Sequence, residues 1–278
     1  MAQKNKIELG DIQRTLLLPL WGRAVETQKK EPLLVDKIAV EIVKQIDCDF
    51  SVMSKDLRFI SLYGWIRRSI LIDETVKHFL EKHPKATIVN IGCGLDTTFE
   101  RVDNGLIHWF DLDMPDTIEL RKIFIPESER RKYIVSSFLD YDWLKQLFVE
   151  DNILFIAAGV LYYFEEFQIK DFFKKLADMF SESEIVFDTA SPFGVKMANK
   201  LVIKKSGFNE QSFLKWGFRG SKEFKLWDNR IELINEVSLF KNAKKRLGFK
   251  QYIEIIVSEI FKIQSLIHLK FKKSDYET

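Results

Sequence analysis

A glycine turn and an acidic residue about 20 positions later are the part of this sequence best suited to bind a ligand. Residues 87–91 are a short apolar, β-branched run, typical of a strand buried on both faces. The run ends at Gly92 and Gly94, where the absence of a Cβ lets backbone approach a ligand closely. Asp113 ends a second predicted strand, at the spacing from which a carboxylate can accept both hydroxyls of a ribose. The pair predicts a nucleotide-type ligand at the carboxyl ends of the strands.

Three alternatives remain open for these residues. Asp111 lies one strand period before Asp113 and is expected on the same side, so either carboxylate could accept the ribose. A Gly-x-Gly turn alone is equally compatible with an ordinary strand-to-helix turn. Asp113 alone is compatible with a loop cap ahead of Pro115.

The elements that must position these residues alternate between strand and helix. Apolar runs predict six further strands, and apolar residues at helical spacing predict the intervening helices, including a helix pair over 56–83. The pattern predicts an α/β fold, a Rossmann-like, doubly wound sheet of seven strands. The six further strands are predicted at 106–113, 133–136, 152–159, 184–188, 231–239 and 261–270.

The chain divides into two predicted parts, an N-terminal helical cap at residues 1–84, packed on the core, and a cofactor-binding core at 85–278. Residues 191–229, after the fifth strand, lose regular periodicity and are predicted to be a substrate-side lid. The cap and lid contain aromatic residues suited to burying an apolar substrate. These are Trp21, Phe193, Phe208, Phe213, Trp216, Phe218 and Trp227.

Composition argues against several classes of protein. Lysine plus arginine number 43 against 41 aspartate plus glutamate, which argues against a dedicated nucleic-acid surface. Cys48 and Cys93 are far apart and have no metal-ligand spacing, so neither a disulfide framework nor a metal site is expected. No stretch resembles a signal peptide or reaches transmembrane length. We expect a soluble, cytoplasmic protein with no membrane or nucleic-acid partner.

Two nucleotide-type cofactors, a nicotinamide dinucleotide and S-adenosylmethionine, are compatible with such a fold. A nicotinamide site prefers a third glycine at position 97, where this chain has Thr97. S-adenosylmethionine requires a turn, a ribose acid, an adenine slot and a cation for its methionine carboxylate. The sequence offers the glycine turn, Asp113, the region of Ser137 and Phe138, and a candidate arginine. S-adenosylmethionine is therefore the predicted cofactor.

The chain resembles the leucine carboxyl methyltransferase family, especially its bacterial branch linked to polyketide O-methylation. The markers are TLLLPLWGRAVE at 15–26, NIGCGLDTT at 90–98, FDLDMP at 110–115 and GVLYY at 159–163. The resemblance implies a sheet of the class I methyltransferase type. The family arginine that grips the cofactor carboxylate falls on Arg68 rather than Arg67. The cofactor-binding residues predicted in this way are Arg68, Gly92, Cys93, Gly94, Leu112, Asp113, Ser137, Phe138, Ala158 and Gly159.

Two positions depart from the family pattern. Family members often carry an acid just before the Gly-Val-Leu-x-Tyr run, where this chain has Ala158. Many also have an aspartate where Ser137 stands, and a serine hydroxyl bonds an adenine amine without charge assistance. Both changes bear on cofactor affinity more than on the fold.

The predicted activity is O-methylation of a carboxylate on an apolar, polyketide-like small molecule. A carboxylate is already ionised at neutral pH, whereas a phenol, with a pKa near 10, needs a base. The four histidines, His78, His83, His108 and His268, are poorly placed to be that base. No catalytic residue is assigned, and Tyr162, Asp188 and Arg23 are substrate-side candidates. The alternatives are a phenolic acceptor, a non-catalytic S-adenosylmethionine sensor and, third, a nicotinamide reductase.

Overall fold

A computed structural model describes residues 13–55, 57–205, 208–241 and 248–273. Seven strands form one sheet with the order β3-β2-β1-β4-β5-β7-β6. Neighbouring pairs among β1 to β5 are parallel, and β7 runs antiparallel to both β5 and β6. The strands are β1 Thr87–Ile91, β2 His108–Asp113, β3 Arg131–Val135, β4 Ile153–Ala157, β5 Glu184–Ala190, β6 Ile231–Ser238 and β7 Gln264–Phe271.

Helices cover both faces of this sheet, so the predicted doubly wound α/β fold is confirmed. Ile88, Leu154 and Val186 pack under one set of helices, while Val89 and Phe155 belong to the core on the other face. The helices are α1 Leu17–Thr27, α2 Lys37–Gln45, α3 Phe50–Ser54, α4 Phe59–Lys82, α5 Thr98–Val102, α6 Pro115–Phe124, α7 Glu166–Met179, α8 Pro192–Ala198, α9 Lys222–Trp227 and α10 Phe249–Ile260. No helix of the described ranges is both long and apolar enough to cross a lipid bilayer.

The expected helix pair over 56–83 is wrong, because α4 is one continuous helix of 24 residues. The C-terminal half of α4 buries Leu71 and Val76 against the sheet. Gly64 lies where α4 approaches β7. A Cβ at Gly64 would lie 2.9 Å from Oε1 of Gln264, so this glycine permits close packing rather than ending the helix.

The segment predicted as a lid has two different environments. Its first part consists of α8 and a π-helical turn at Asn199–Ile203, next to the carboxyl end of β5. Its second part contributes buried aromatic rings to the core under α7, where Trp216 and Phe218 pack with Phe187 and Phe224. The prediction that Trp216 and Phe218 bury a substrate is wrong, since the sheet and α9 already cover them.

Candidate functional site

A cavity of about 390 Å³ lies beyond the carboxyl ends of β1, β4 and β5. The chain reverses its winding between β1 and β4, which is where open α/β sheets bind ligands. The volume is within the range of pockets for small molecules. The wall nearest the sheet consists of residues 92–96, Ala158, Gly159 and Ala190. The predicted position of the site is therefore also where the structure has a cavity.

The glycines of the turn have conformations and neighbours that exclude larger residues. Gly92 has φ +59° and Gly94 has φ +47°. A Cβ on Gly92 would lie 2.5 Å from Cγ2 of Val160, and one on Gly94 would lie 3.3 Å from Cβ of Leu16. The turn thus presents bare backbone to the cavity, as a site for a closely approaching nucleotide requires.

Asp113 braces the same turn from the end of β2. Its Oδ2 accepts a hydrogen bond of 2.8 Å from the Gly94 N–H, and its Oδ1 accepts one of 2.8 Å from the Met114 N–H. Burial raises the pKa of Asp113 to about 6, and the two N–H donors offset part of that effect. Asp113 is half-buried and does not line the cavity described above. Each of its oxygens keeps a further lone pair, so the carboxylate can accept two more hydrogen bonds, for example from the two hydroxyls of a ribose.

Asp111, the alternative ribose acceptor, is fully buried and already bonded. Its Oδ1 accepts from Nε1 of Trp109 at 2.9 Å, and its Oδ2 accepts from Arg121 at 3.0 Å and Arg131 at 2.6 Å. Arg121 also donates to the Gly94 carbonyl at 2.8 Å. Asp111 therefore stabilises the turn from within the core through Arg121, and it is not accessible to a ligand.

Arg68, on α4, reaches the carboxyl ends of β4 and β5. Its Nη1 donates to Oδ2 of Asp188 at 2.9 Å and to the Tyr162 hydroxyl at 3.2 Å, while the side chain lines the cavity. Burial disfavours its charge, but the Asp188 carboxylate outweighs burial, and the pKa of Arg68 is raised. The guanidinium is a permanent cation beside the glycine turn, suited to a carboxylate ligand.

Asp188 was predicted to touch a substrate, and the structure places it beneath the cavity instead. It is fully buried and does not line the cavity. Its Oδ1 accepts a 2.6 Å hydrogen bond from the Gly159 N–H while Oδ2 holds Arg68. Gly159 has φ +80°, and a Cβ there would lie 2.8 Å from Nη1 of Arg68. Asp188 therefore positions both Arg68 and the backbone after β4.

Tyr162 lines the cavity next to Arg68. Burial, reinforced by Asp188, raises the pKa of its phenol well above the ordinary value of 10, so the hydroxyl stays protonated near neutral pH. Its oxygen accepts from Arg68, which leaves the O–H proton able to donate toward the cavity.

Arg23, the third substrate-side candidate, is buried in an ion pair and does not line the cavity. Its Nε donates to Oδ2 of Asp36 at 2.8 Å, and its Nη2 donates to the Leu95 carbonyl at 2.7 Å. Thr97 also donates to Asp36, at 2.6 Å, which is why a threonine suits the position of the missing third glycine. These bonds hold α1 against the glycine turn. The prediction that Arg23 is a substrate-side residue is therefore wrong.

The predicted adenine slot lies outside this cavity. Oγ of Ser137 accepts a 3.3 Å hydrogen bond from the Leu139 N–H, and Phe138 is buried against Phe164 and Phe172. Leu112 contributes its carbonyl to the turn, accepting from the Cys93 N–H at 3.2 Å. The adenine role of residues 137–138 stays a prediction.

The cavity wall that lies away from the sheet was not predicted from the sequence. Ser61, Trp65 and Arg68 line it from α4 at intervals of four and three, which is one helix face, and Arg58 lines it from the position just before the helix. That spacing was available in the sequence. Of the predicted aromatic lining, only Phe193 borders the cavity, and the adjacent lid wall is mostly aliphatic. It comprises Met197, Ala198, Leu201, Val202, Ile203 and Leu214.

Comparison with solved structures identifies the fold. Two solved structures share the fold over most of both chains: a DUF574 family protein from Streptomyces avermitilis (TM-score 0.61, 11% identity, 93% of this chain and 97% of that one) and a putative methyltransferase from Thermobifida fusca (TM-score 0.60, 12% identity, 91% and 94%). The fold is that of the class I methyltransferases, as predicted.

The chain belongs to the leucine carboxyl methyltransferase family, whose model matches residues 17–177. A curated relative, the tetracenomycin polyketide synthesis O-methyltransferase TcmP of Streptomyces glaucescens, is 31% identical over 69% of this chain and 71% of its own length. Another, the S-adenosyl-L-methionine-dependent methyltransferase dpfgK of Gibberella zeae, is 26% identical over 70% and 72%. The predicted family and its cofactor, S-adenosylmethionine, are confirmed.

Proposed function

We propose that this chain transfers the methyl group of S-adenosylmethionine to a carboxylate oxygen of an apolar small molecule. The observation that carries the proposal is the composition of the cavity wall. Among the described residues, the wall beside the glycine turn is mainly apolar and contains neither histidine nor lysine. The name of TcmP, an O-methyltransferase of polyketide synthesis, supports oxygen as the acceptor atom and a polyketide-like body.

The proposed cofactor-binding residues are those whose geometry around the glycine turn suits S-adenosylmethionine. Asp113 accepts the ribose hydroxyls, Arg68 binds the methionine carboxylate, and bare backbone at Gly92, Gly94 and Gly159 admits the ligand. Bound S-adenosylmethionine supplies an electrophilic methyl group on a sulfonium. The permanent charge of Arg68, the free lone pairs of Asp113 and the tight neighbours of the glycines support this fit.

The protein's contribution to the chemistry is positioning and exclusion of water. A carboxylate acceptor arrives ionised, because its pKa is near 4. The Tyr162 hydroxyl can donate to one carboxylate oxygen and so orient the other. Asp96 is a poor base: burial alone would raise its pKa, but Arg101 and Arg23 hold that pKa well below the usual range. An acceptor that needs no deprotonation suits these surroundings best.

Two other functions remain candidates. A phenolic acceptor would need a base, for which the described histidines are unsuited because none of them lines the cavity. A non-catalytic sensor would bind the cofactor without an acceptor, yet the cavity continues well past Arg68 along α4. We further propose a cytoplasmic enzyme that acts on free small molecules rather than on nucleic acid or membranes, in line with its net charge of +2.

The pH dependence of turnover tests the choice of acceptor. At saturating cofactor, a carboxylate acceptor should give a nearly flat rate from about pH 6 to 8, because its ionisation is complete. The measurement is the steady-state rate with a series of aromatic carboxylic acids. A rate that climbs about tenfold per pH unit, with chemistry limiting, would instead indicate a hydroxyl awaiting deprotonation.

A further inference from the structure

A short strap of backbone, residues 214–216, ties the lid side of the cavity to Tyr162. The N–H groups of Lys215 and Trp216 both donate to the Tyr162 carbonyl, at 2.7 and 3.1 Å. Leu214 directly precedes these two residues, and consecutive Cα atoms are only about 3.8 Å apart. Leu214 therefore lies close to Tyr162, at the end of the cavity where the cofactor site is proposed, and it lines the same cavity.

Asn199, the first residue of the π-helical turn, holds the strap from the lid. Its Nδ2 donates to the Leu214 carbonyl at 3.0 Å, and its Oδ1 accepts from the Leu214 N–H at 2.8 Å. A carboxamide can serve both backbone groups at once, because it carries a donor and an acceptor. An aspartate at this position would lose the bond to the carbonyl. Asn199 thereby fixes the backbone of Leu214 relative to the lid.

Leu214 can offer a ligand in the cavity only its isobutyl group, because both of its backbone polar groups are bonded to Asn199. The residue is 8% exposed, so it is held in the wall rather than free to swing aside. In the proposed function the Tyr162 hydroxyl binds the acceptor carboxylate. Leu214 would then contact the atoms next to that carboxylate, and it would limit their bulk.

We propose that Leu214 is a specificity residue that excludes acceptors with bulk beside the carboxylate, and that Asn199 is the positioning residue that holds Leu214 in place. This inference rests on the proposed function, because it takes the acceptor carboxylate to lie at Tyr162. The acceptor class that follows is a flat aromatic acid whose ring positions on both sides of the carboxylate carry only hydrogen.

Two isomeric acids, β-naphthoic acid and α-naphthoic acid, test the proposal. Both are ionised at neutral pH, but only α-naphthoic acid has its second ring beside the carboxylate. The rates of methyl ester formation by the full chain with S-adenosylmethionine give kcat/KM for each acid. The value for β-naphthoic acid should be at least about tenfold higher, since a misfitting group in an apolar pocket costs about ten- to two-hundredfold.

Two leucine substitutions separate the role of Leu214 from a general loss of packing. Leu214→Ala should raise kcat/KM for α-naphthoic acid by about tenfold and keep that for β-naphthoic acid within about threefold. A weakened fold would lower both values, so a gain on one isomer reports the wall itself. Leu226→Ala removes the same atoms from α9, where the side chain is 85% exposed and outside the cavity wall, and should keep the preference.

Asn199→Asp tests the positioning role with Leu214 intact. It should relax the preference in the same direction as Leu214→Ala, mainly through the KM of α-naphthoic acid. Combined with Leu214→Ala it should cause no further relaxation, since both changes act through one contact. A fall in both kcat/KM values with the preference unchanged would show that Asn199 only supports the fold.

Equal use of the two isomers by the starting protein, or a preference that survives in Leu214→Ala, would overturn the inference. The proposed function is judged separately, from the chemical nature of the products. Methyl esters of both acids without a preference would retain the function and reject the role of Leu214. No ester from either acid, with methyl ether formed from β-naphthol, would reject the function and this inference with it.

Discussion

Replacing Arg68 with lysine should weaken binding of S-adenosylmethionine by about ten- to a hundredfold. A single ammonium cannot hold Asp188 and Tyr162 and also present a planar pair of donors to the methionine carboxylate. Isothermal calorimetry on the purified chain gives the affinities directly. Lysine is preferable to alanine, which would leave the buried Asp188 without a cation and endanger the fold.

Arg67→Lys is the matched control for this experiment. Arg67 is the adjacent residue of α4, does not line the cavity, and has no described hydrogen-bond partner for its Nε. Its substitution should leave cofactor affinity within about threefold of the starting protein. Loss of affinity in Arg67→Lys with none in Arg68→Lys would show that the other arginine binds the cofactor.

Asp113→Ala should reduce affinity for S-adenosylmethionine by about ten- to a hundredfold, equivalent to roughly 1.5–3 kcal/mol for hydrogen bonds to a charged group. Asp113→Asn tests the charge itself. Ribose hydroxyls bond best to the ionised carboxylate, whose pKa is about 6 before the ligand binds. At pH 5 only about one tenth of the molecules carry that charge, so affinity should be about tenfold weaker than at pH 8.

The asparagine variant should bind weakly at every pH and lose this pH dependence. Calorimetry from pH 5 to 8 on both proteins measures the difference between the two profiles. A comparison of profiles is needed because other groups of the ligand also titrate. Identical profiles for the two proteins would show that Asp113 does not carry the ribose.

Much of the fold could be predicted because its signals are local. β4 is a continuous apolar run and β1 is apolar apart from Thr87 and Asn90, as expected of strands buried on both faces. The helix pair predicted over 56–83 was wrong, because α4 is one continuous helix. The sequence does not show that β7 packs closely against α4 at Gly64. The contribution of Trp216 and Phe218 to the core was missed for the same reason, since an aromatic residue in an irregular segment suits a core or a pocket equally.

The parts of the candidate site that depend on local backbone conformation could be predicted from the sequence. The parts that depend on which side chains from other elements bond to a residue could not. The glycine turn is specified by its own residues. The choice between Asp111 and Asp113 depends on Arg121 and Arg131, which reach Asp111 from α6 and β3. The ion pair between Arg58 and Glu254 could not be predicted, because it depends on how α10 packs opposite the start of α4.

Transfer of a labelled methyl group to matched pairs of aromatic carboxylic acids and phenols tests the central claim most directly. The purified chain is incubated with methyl-labelled S-adenosylmethionine, and the products are then treated with mild alkali. A methyl ester releases its label as methanol, whereas an aryl methyl ether keeps it. We expect labelled products from the acids, and we expect alkali to release that label. Alkali-stable label on the phenols, with none on the acids, would contradict the account.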